Sequence, residues 1–224
     1  MTLKQFNKYF DHTNLKANAD SKAIIQLCEE AKEYGFASVA VNQSVVALCK
    51  KCLEGSGVGI TAVAGFPLGA NSIECKLFEA KAAIDDGATE IDYVINIGKL
   101  KDGEIDYIRE EMSEIVSLCK KENVLSKVIF ENCYLTDEQK RILCRIANEV
   151  KPDFIKTSTG FGPTSATVED VTLMRKTAQS DIKVKAAGGV RDLGTALKMI
   201  EIGAERIGCS NSVAIAEEFA KING

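Results

Sequence analysis

Two lysines and one aspartate stand where a buried β-strand should be apolar. Lys156 lies in DFIKTSTG, Lys185 in KVKAAGGVR and Asp92 in EIDYVI. Strands of a parallel sheet are covered on both faces and read as nearly continuous apolar runs, so each residue breaks a strong pattern. For a single lysine the plain explanation is an ammonium that reaches solvent from a strand end. Two on successive strands suggest another. Neighbouring strands lie about 4.7 to 4.9 Å apart, so inward lysines at matching levels place two cations together in a partly desolvated cavity. Burial and like charge both lower a lysine pKa. A lysine that is neutral near pH 7 attacks carbonyl carbon and forms a Schiff base. An ionised aspartate inside a strand is costly unless paired, and one of these lysines is its natural partner. The pair reads either as a buried ion pair that fixes register or as a proton-transfer carboxylate beside a Schiff-base lysine.

A second group of residues suits an anion. The stretches STGFG (158–162), AAGGVR (186–191) and GCSNS (208–212) follow the last three strand-like segments. Backbone N–H groups of glycine-rich turns, with a helix N-terminus behind them, form a common phosphate site. Gly188 and Gly189 allow close approach, and Arg191 adds a cation. One glycine pair alone also reads as an ordinary turn. Three in succession point to a small phosphorylated carbonyl compound as the ligand.

Those residues need a scaffold that gathers the ends of several strands. Apolar, β-branched runs at 37–41, 59–64, 90–95, 127–131, 153–157, 183–187 and 205–209 read as strands. Between them, amphipathic stretches at 20–34, 43–54, 72–86, 103–122, 136–149, 167–178, 192–202 and 212–222 read as helices. Eight helices call for an eighth strand, and only the stretch 10–14 is left to supply it. Gly35, Gly87 and Gly203 stop helices just before a strand, and Thr136 with Gln139 makes a capping box. The series predicts an α/β fold, one (β/α)8 TIM barrel over 1–224. Active sites of that fold sit at the C-terminal ends of the strands. The polar residues there are Asp11, His12 and Thr13; Asn42; Asp92 and Asn96; Glu131 and Asn132; Lys156, Thr157 and Ser158; Lys185; and Ser210 and Asn211.

Composition narrows the chemistry. With 46% apolar and 27% charged residues, the 224-residue chain has the make-up of a folded globular protein. Its 28 basic and 32 acidic residues leave a net charge of −4, without the basic excess that draws nucleic acid. Neither a signal-like apolar run nor a membrane-length segment is visible, so a cytoplasmic protein is expected. The eight cysteines are scattered through apolar contexts and read as reduced thiols. Cys49 and Cys52 form a CxxC in a helical stretch with no second pair to complete a tetrahedral metal site. The only histidine, His12, cannot furnish the several imidazoles of a zinc aldolase and reads as a strand-end hydrogen-bonding residue. Metal-independent carbon–carbon bond cleavage without a cofactor is the expectation.

Along essentially its whole length the sequence resembles the deoxyribose-phosphate aldolase family. The matching motifs are DHTNLK (11–16), VAVNQS (40–45), AVAGFPLG (62–69), GATEIDYVINIG (87–98), FIKTSTGFGPTSAT (154–167), VKAAGGVR (184–191) and GAERIGCSNS (203–212). The resemblance implies a class I aldolase on a TIM barrel, commonly a homodimer. Its reaction is the reversible cleavage of 2-deoxy-D-ribose 5-phosphate to D-glyceraldehyde 3-phosphate and acetaldehyde. By motif, Lys156 is the Schiff-base lysine, Lys185 the neighbour that perturbs it and Asp92 the proton-relay carboxylate. Gly160, Gly188, Gly189, Gly208 and Ser210 match phosphate-binding positions, and Asp11 and Thr13 match the substrate end. Some members carry a phosphate-reaching lysine where this chain has Phe161, which leaves more to Arg191. Asn211 replaces a serine near the phosphate, and the ending FAKING lacks the terminal tyrosine of some members. Two other readings stay open: a transaldolase-like Schiff-base barrel acting on a different sugar phosphate, and a sugar-phosphate-binding protein without turnover.

Overall fold

Eight parallel strands close on themselves in the computed structural model, which describes residues 1–223. They are β1 (Phe10–Asn14), β2 (Ser38–Val41), β3 (Gly59–Ala64), β4 (Glu90–Val94), β5 (Leu125–Ile129), β6 (Phe154–Lys156), β7 (Lys183–Ala187) and β8 (Arg206–Cys209). Each pairs with the next, and β1 closes on β8 with Asp11 opposite Gly208. The helices are α1 (Leu3–Asn7), α2 (Ser21–Tyr34), α3 (Val46–Leu53), α4 (Ile73–Asp86), α5 (Ile97–Lys101), α6 (Ile105–Lys121), α7 (Asp137–Val150), α8 (Val168–Thr177), α9 (Leu193–Glu201) and α10 (Ser212–Asn223). The chain folds as the (β/α)8 barrel that its alternating pattern predicts. No helix among the described residues is long and apolar enough to cross a membrane.

Local sequence explains how the outer ring is laid down. At the start of α7 the Thr136 hydroxyl accepts the Gln139 N–H, and the Gln139 side chain accepts the Thr136 N–H. Such a cap stabilises a helix by about 1 kcal/mol. Leu143, Cys144 and Ala147 then form the buried stripe. Outward residues of the strands, among them Val39, Ile91, Val128, Ile155, Val184 and Ile207, are fully buried beneath the helices. Burial of a side chain of this size contributes about 1.5–3 kcal/mol. The core of this protein is therefore the layer between strands and helices, and the barrel interior is left free for polar groups.

Three elements depart from the sequence reading. Helix α1 was not expected, although Thr2 and Gln5 form the same capping box as Thr136 and Gln139. Its Phe6 stacks on Phe219 with ring centres 4.1 Å apart and meets Phe10 edge-on at 5.1 Å, shielding the N-terminal end of β1. The expected helix over 103–122 is preceded by the short α5, started by Asn96, whose side chain accepts the Lys99 N–H. Strand β5 runs two residues earlier than expected. Its entry is tied to that of β6 because the Ser126 N–H and hydroxyl both donate to Asp153 Oδ2, at 2.9 and 3.0 Å.

Candidate active site

Register brings the three chemistry-bearing residues together. Lys156 on β6 lies directly opposite Lys185 on β7, the matching level that the sequence argument requires. Each donates a 2.7 Å hydrogen bond from Nζ to the same oxygen, Oδ2 of Asp92 on β4. The other oxygen, Oδ1, accepts a 2.7 Å bond from Nζ of Lys127, opposite Asp92 on β5. Asp92, Lys127 and Lys185 are fully buried, and Lys156 is 3% exposed.

Lys127 belongs to a wider ionic network that the sequence reading missed. Its Nζ lies 2.5 Å from Glu90 Oε2 and donates to Thr61 Oγ1 at 3.1 Å. Arg206 Nη1 donates to Asp11 Oδ1 at 2.5 Å and to Glu90 Oε2 at 3.0 Å. Lys185 Nζ lies 2.5 Å from Asp11 Oδ2. Three carboxylates (Asp11, Glu90, Asp92) thus share a low-dielectric interior with four cations (Lys127, Lys156, Lys185, Arg206). Charge balance is reached when one cation loses its proton.

The surroundings select Lys156 for that loss. Burial lowers its pKa from 10.5 to about 8; Asp92 opposes the change, while the charges of Lys185 and Lys127 add to it. Lys127 goes the other way: burial disfavours its charge, but Asp92, Glu90 and Asp11 hold it above the ordinary lysine range. Burial likewise opposes ionisation of Asp92, and Lys127, Lys156 and Lys185 outweigh it and hold that carboxyl well below its usual value. With a pKa of about 8, about one Lys156 in ten is neutral at pH 7, against fewer than one in a thousand for an ordinary lysine. Any reaction that begins with Lys156 as nucleophile should show kcat/KM rising with pH through about 8, as the ammonium deprotonates. A pH–rate profile checks this, and a rising limb at the ordinary lysine value of 10.5 contradicts it.

Above this network a cavity of about 470 Å³ opens at the C-terminal ends of the strands, with Lys156 and Lys185 in its lining. Thr13, Gly160, Gly188, Gly189, Arg191, Gly208 and Ser210 also line it. Gly188 has φ +76°, and a Cβ there would sit 2.9 Å from Ser165 Oγ, so only glycine fits without moving the turn. At Gly208 a Cβ would lie 3.3 Å from Lys185 Cε, so the absent side chain leaves room for that lysine.

Two of the expected residues lie outside the cavity lining. Asp11, expected at the substrate end, is fully buried and outside the cavity lining, bonded to Arg206 and to Ser38 Oγ at 2.7 Å. It is the second residue of β1, near the N-terminal end, while Thr13 farther along reaches the cavity. Asn211, counted with the phosphate group, is also outside the lining. Its amide donates to the Arg191 carbonyl at 3.3 Å, which ties the turn after β8 to the turn after β7. His12 Nε2 pairs with Glu30 Oε2 at 2.8 Å, and burial lowers its pKa against the pull of Glu30. All eight cysteines are free thiols, and no cluster of three or more His, Cys, Asp or Glu suited to a metal occurs among the described residues.

The arrangement has relatives. Residues 6–215 match the model of the DeoC/LacD family aldolases. A protein of Bacteroides thetaiotaomicron named deoxyribose-phosphate aldolase is 50% identical over 222 residues, covering 99% of this chain and 93% of its own. The solved structure described as "QR15, an Aldolase" superposes with a TM-score of 0.92 at 41% identity, over 97% of each chain. A deoxyribose phosphate aldolase from Aeropyrum pernix, described as tetrameric, superposes with a TM-score of 0.91 at 29% identity, over 99% of this chain and 93% of its own. Sequence and fold agree along the whole barrel, and the chain belongs to the DeoC/LacD aldolase family.

Proposed function

We propose that this aldolase reversibly cleaves 2-deoxy-D-ribose 5-phosphate to D-glyceraldehyde 3-phosphate and acetaldehyde, through a Schiff base on Lys156. The observation that carries the reading is the shared Asp92 oxygen: one carboxylate holds both lysines, and Lys156 is pushed down to about 8. Neutral Lys156 adds to C1 of the open-chain sugar, and loss of water gives an iminium. Asp92, through water and Lys185, takes the proton from the C3 hydroxyl. The C2–C3 electron pair then flows into the iminium, which releases the three-carbon aldehyde and leaves an enamine. Protonation at C2 and hydrolysis free acetaldehyde and regenerate Lys156. The iminium is itself the electron sink, so these steps call on no cofactor.

The substrate phosphate is assigned to the glycine-rich segments that end or follow β6, β7 and β8, at Gly160, Gly188, Gly189, Gly208 and Ser210, all of which line the cavity. Arg191 borders the same cavity and supplies positive charge. The tetrameric description of the Aeropyrum relative shows that the homodimer expected from sequence is not general in the family.

The direct test is reductive trapping. Incubation with acetaldehyde and borohydride should leave N-ethyl-lysine at position 156 alone, read by peptide mass. Its absence rules out the Schiff-base route, and an adduct on Lys185 instead would reverse the roles of the two lysines.

A further inference from the structure

Glu131 lies just past β5, buried to 2% exposure, in a left-handed backbone conformation with φ 56° and ψ 62°. That region is uncommon for a residue other than glycine and persists where the surroundings enforce it. Here the Glu131 carboxylate is held by the turn after β6 and by Cys133 Sγ, which donates to Oε1 at 3.8 Å. The Thr159 N–H lies 3.1 Å from Glu131 Oε1 and 3.3 Å from Oε2, and the Thr159 hydroxyl donates to Oε2. Thr159 Oγ1 in turn accepts the Phe161 N–H at 3.0 Å. The N–H groups on both sides of Gly160 are therefore consumed inside the turn, and Gly160 itself lines the cavity. Space behind the turn is filled, since a Cβ on Gly162 would meet Cys133 Sγ at 2.6 Å and the Glu131 carboxyl at 3.5 Å.

We infer that Glu131 is a positioning residue that sets the 159–161 turn so that the Gly160 N–H is presented to the substrate phosphate, making it a determinant of selectivity for phosphorylated over unphosphorylated sugar. This rests on the reading of the site as a sugar-phosphate aldolase. Carboxylate chemistry suits the task because an ionised acid accepts from an amide and a hydroxyl together. The hydroxyl, having donated to Glu131, keeps its lone pairs for Phe161. Glutamine preserves the bond to the Thr159 amide but offers N–H groups where the second oxygen stood, and alanine loses both.

The test compares kcat/KM for 2-deoxyribose 5-phosphate with that for 2-deoxyribose, and competition by inorganic phosphate, in the parent and in Glu131→Ala, Glu131→Gln and Thr159→Val. Alanine should cut the phosphorylated-to-unphosphorylated ratio about tenfold, with inorganic phosphate weakened in step; a tenfold change is the size of one hydrogen bond. Glutamine should fall in between. Thr159→Val, which removes the bridging hydroxyl, should lower the ratio as well, and it decides the matter if the alanine variant fails to fold. An equal loss on both sugars, or no change in the ratio, overturns the proposal. A parent enzyme that forms no borohydride adduct on Lys156 fails the aldolase reading instead. An adduct with an unchanged ratio in the variants fails Glu131 alone.

Discussion

Lys185→Leu should lower kcat by about a hundredfold to ten-thousandfold, the usual contribution of a positioned proton-transfer group, while the protein still folds. The second half of that expectation follows from the network. Asp92 keeps Lys127 and Lys156 as partners, and Asp11 keeps Arg206 and Ser38, so neither carboxylate is stranded. Leucine fills most of the vacated space beside Gly208. In the proposed mechanism the rate falls for two reasons: the C3 hydroxyl loses its route for proton removal, and Lys156 loses a positive neighbour that lowers its pKa. The rising limb of the pH profile should therefore also move above about 8. Steady-state kinetics with a thermal melt separates the effects. Near-normal kcat would remove Lys185 from the mechanism, and an unfolded variant would show that its role is structural.

Strand alternation made most of this architecture readable. The glycine stops and the Thr136 box gave the helix ends, and even the five-residue β1 was recoverable from the surplus of helices. Lysines in FIK and VKA stood out because the residues around them are apolar. Lys127 escaped for a positional reason. With β5 placed at 127–131, a lysine at its first residue reads as a cation entering from solvent. The strand begins at Leu125, so Lys127 is its middle residue, buried at the level of Asp92. Leu125 is 36% exposed and Ser126 is polar, so neither looks like buried strand; the Asp153 contact that recruits them comes from a neighbouring strand entry.

Asp11 and Asn211 show a different limit. A motif states which residues recur near a site and leaves their level along the strand open. Asp11 occupies the second position of β1, so its carboxylate joins the charges beneath the cavity, while Thr13 reaches the cavity two residues later. The Asn211 amide donates to the Arg191 backbone carbonyl, and the residue lies outside the cavity lining. Periodicity within one segment cannot reveal Glu90 and Arg206 as a pair, because their contact spans β4 and β8 across the barrel.

Lys127→Met is the sharper test of the charge count. Methionine matches the length and much of the volume of lysine, so what is lost is the charge and its hydrogen bonds. Glu90 and Asp92 would each lose a cation held at 2.5 and 2.7 Å. Breaking a buried pair from one side costs about 3–5 kcal/mol, against a total stability of about 5–15 kcal/mol for a typical domain. The melting temperature should fall by roughly 6–20 °C for a chain of this size. Activity should respond through Lys156. Removing Lys127 takes away one charge that lowers the Lys156 pKa and leaves more of the Asp92 charge to raise it, so both changes act in the same direction. The interior then holds three cations with three carboxylates, and Lys156 can keep its proton without excess positive charge. The alkaline limb should accordingly rise above about 8, and activity at pH 7 should drop with it. A variant that melts like the parent and keeps its pH profile would mean that Lys127 does not tune this site, and the three-to-four charge count would no longer support Lys156 as the proposed nucleophile.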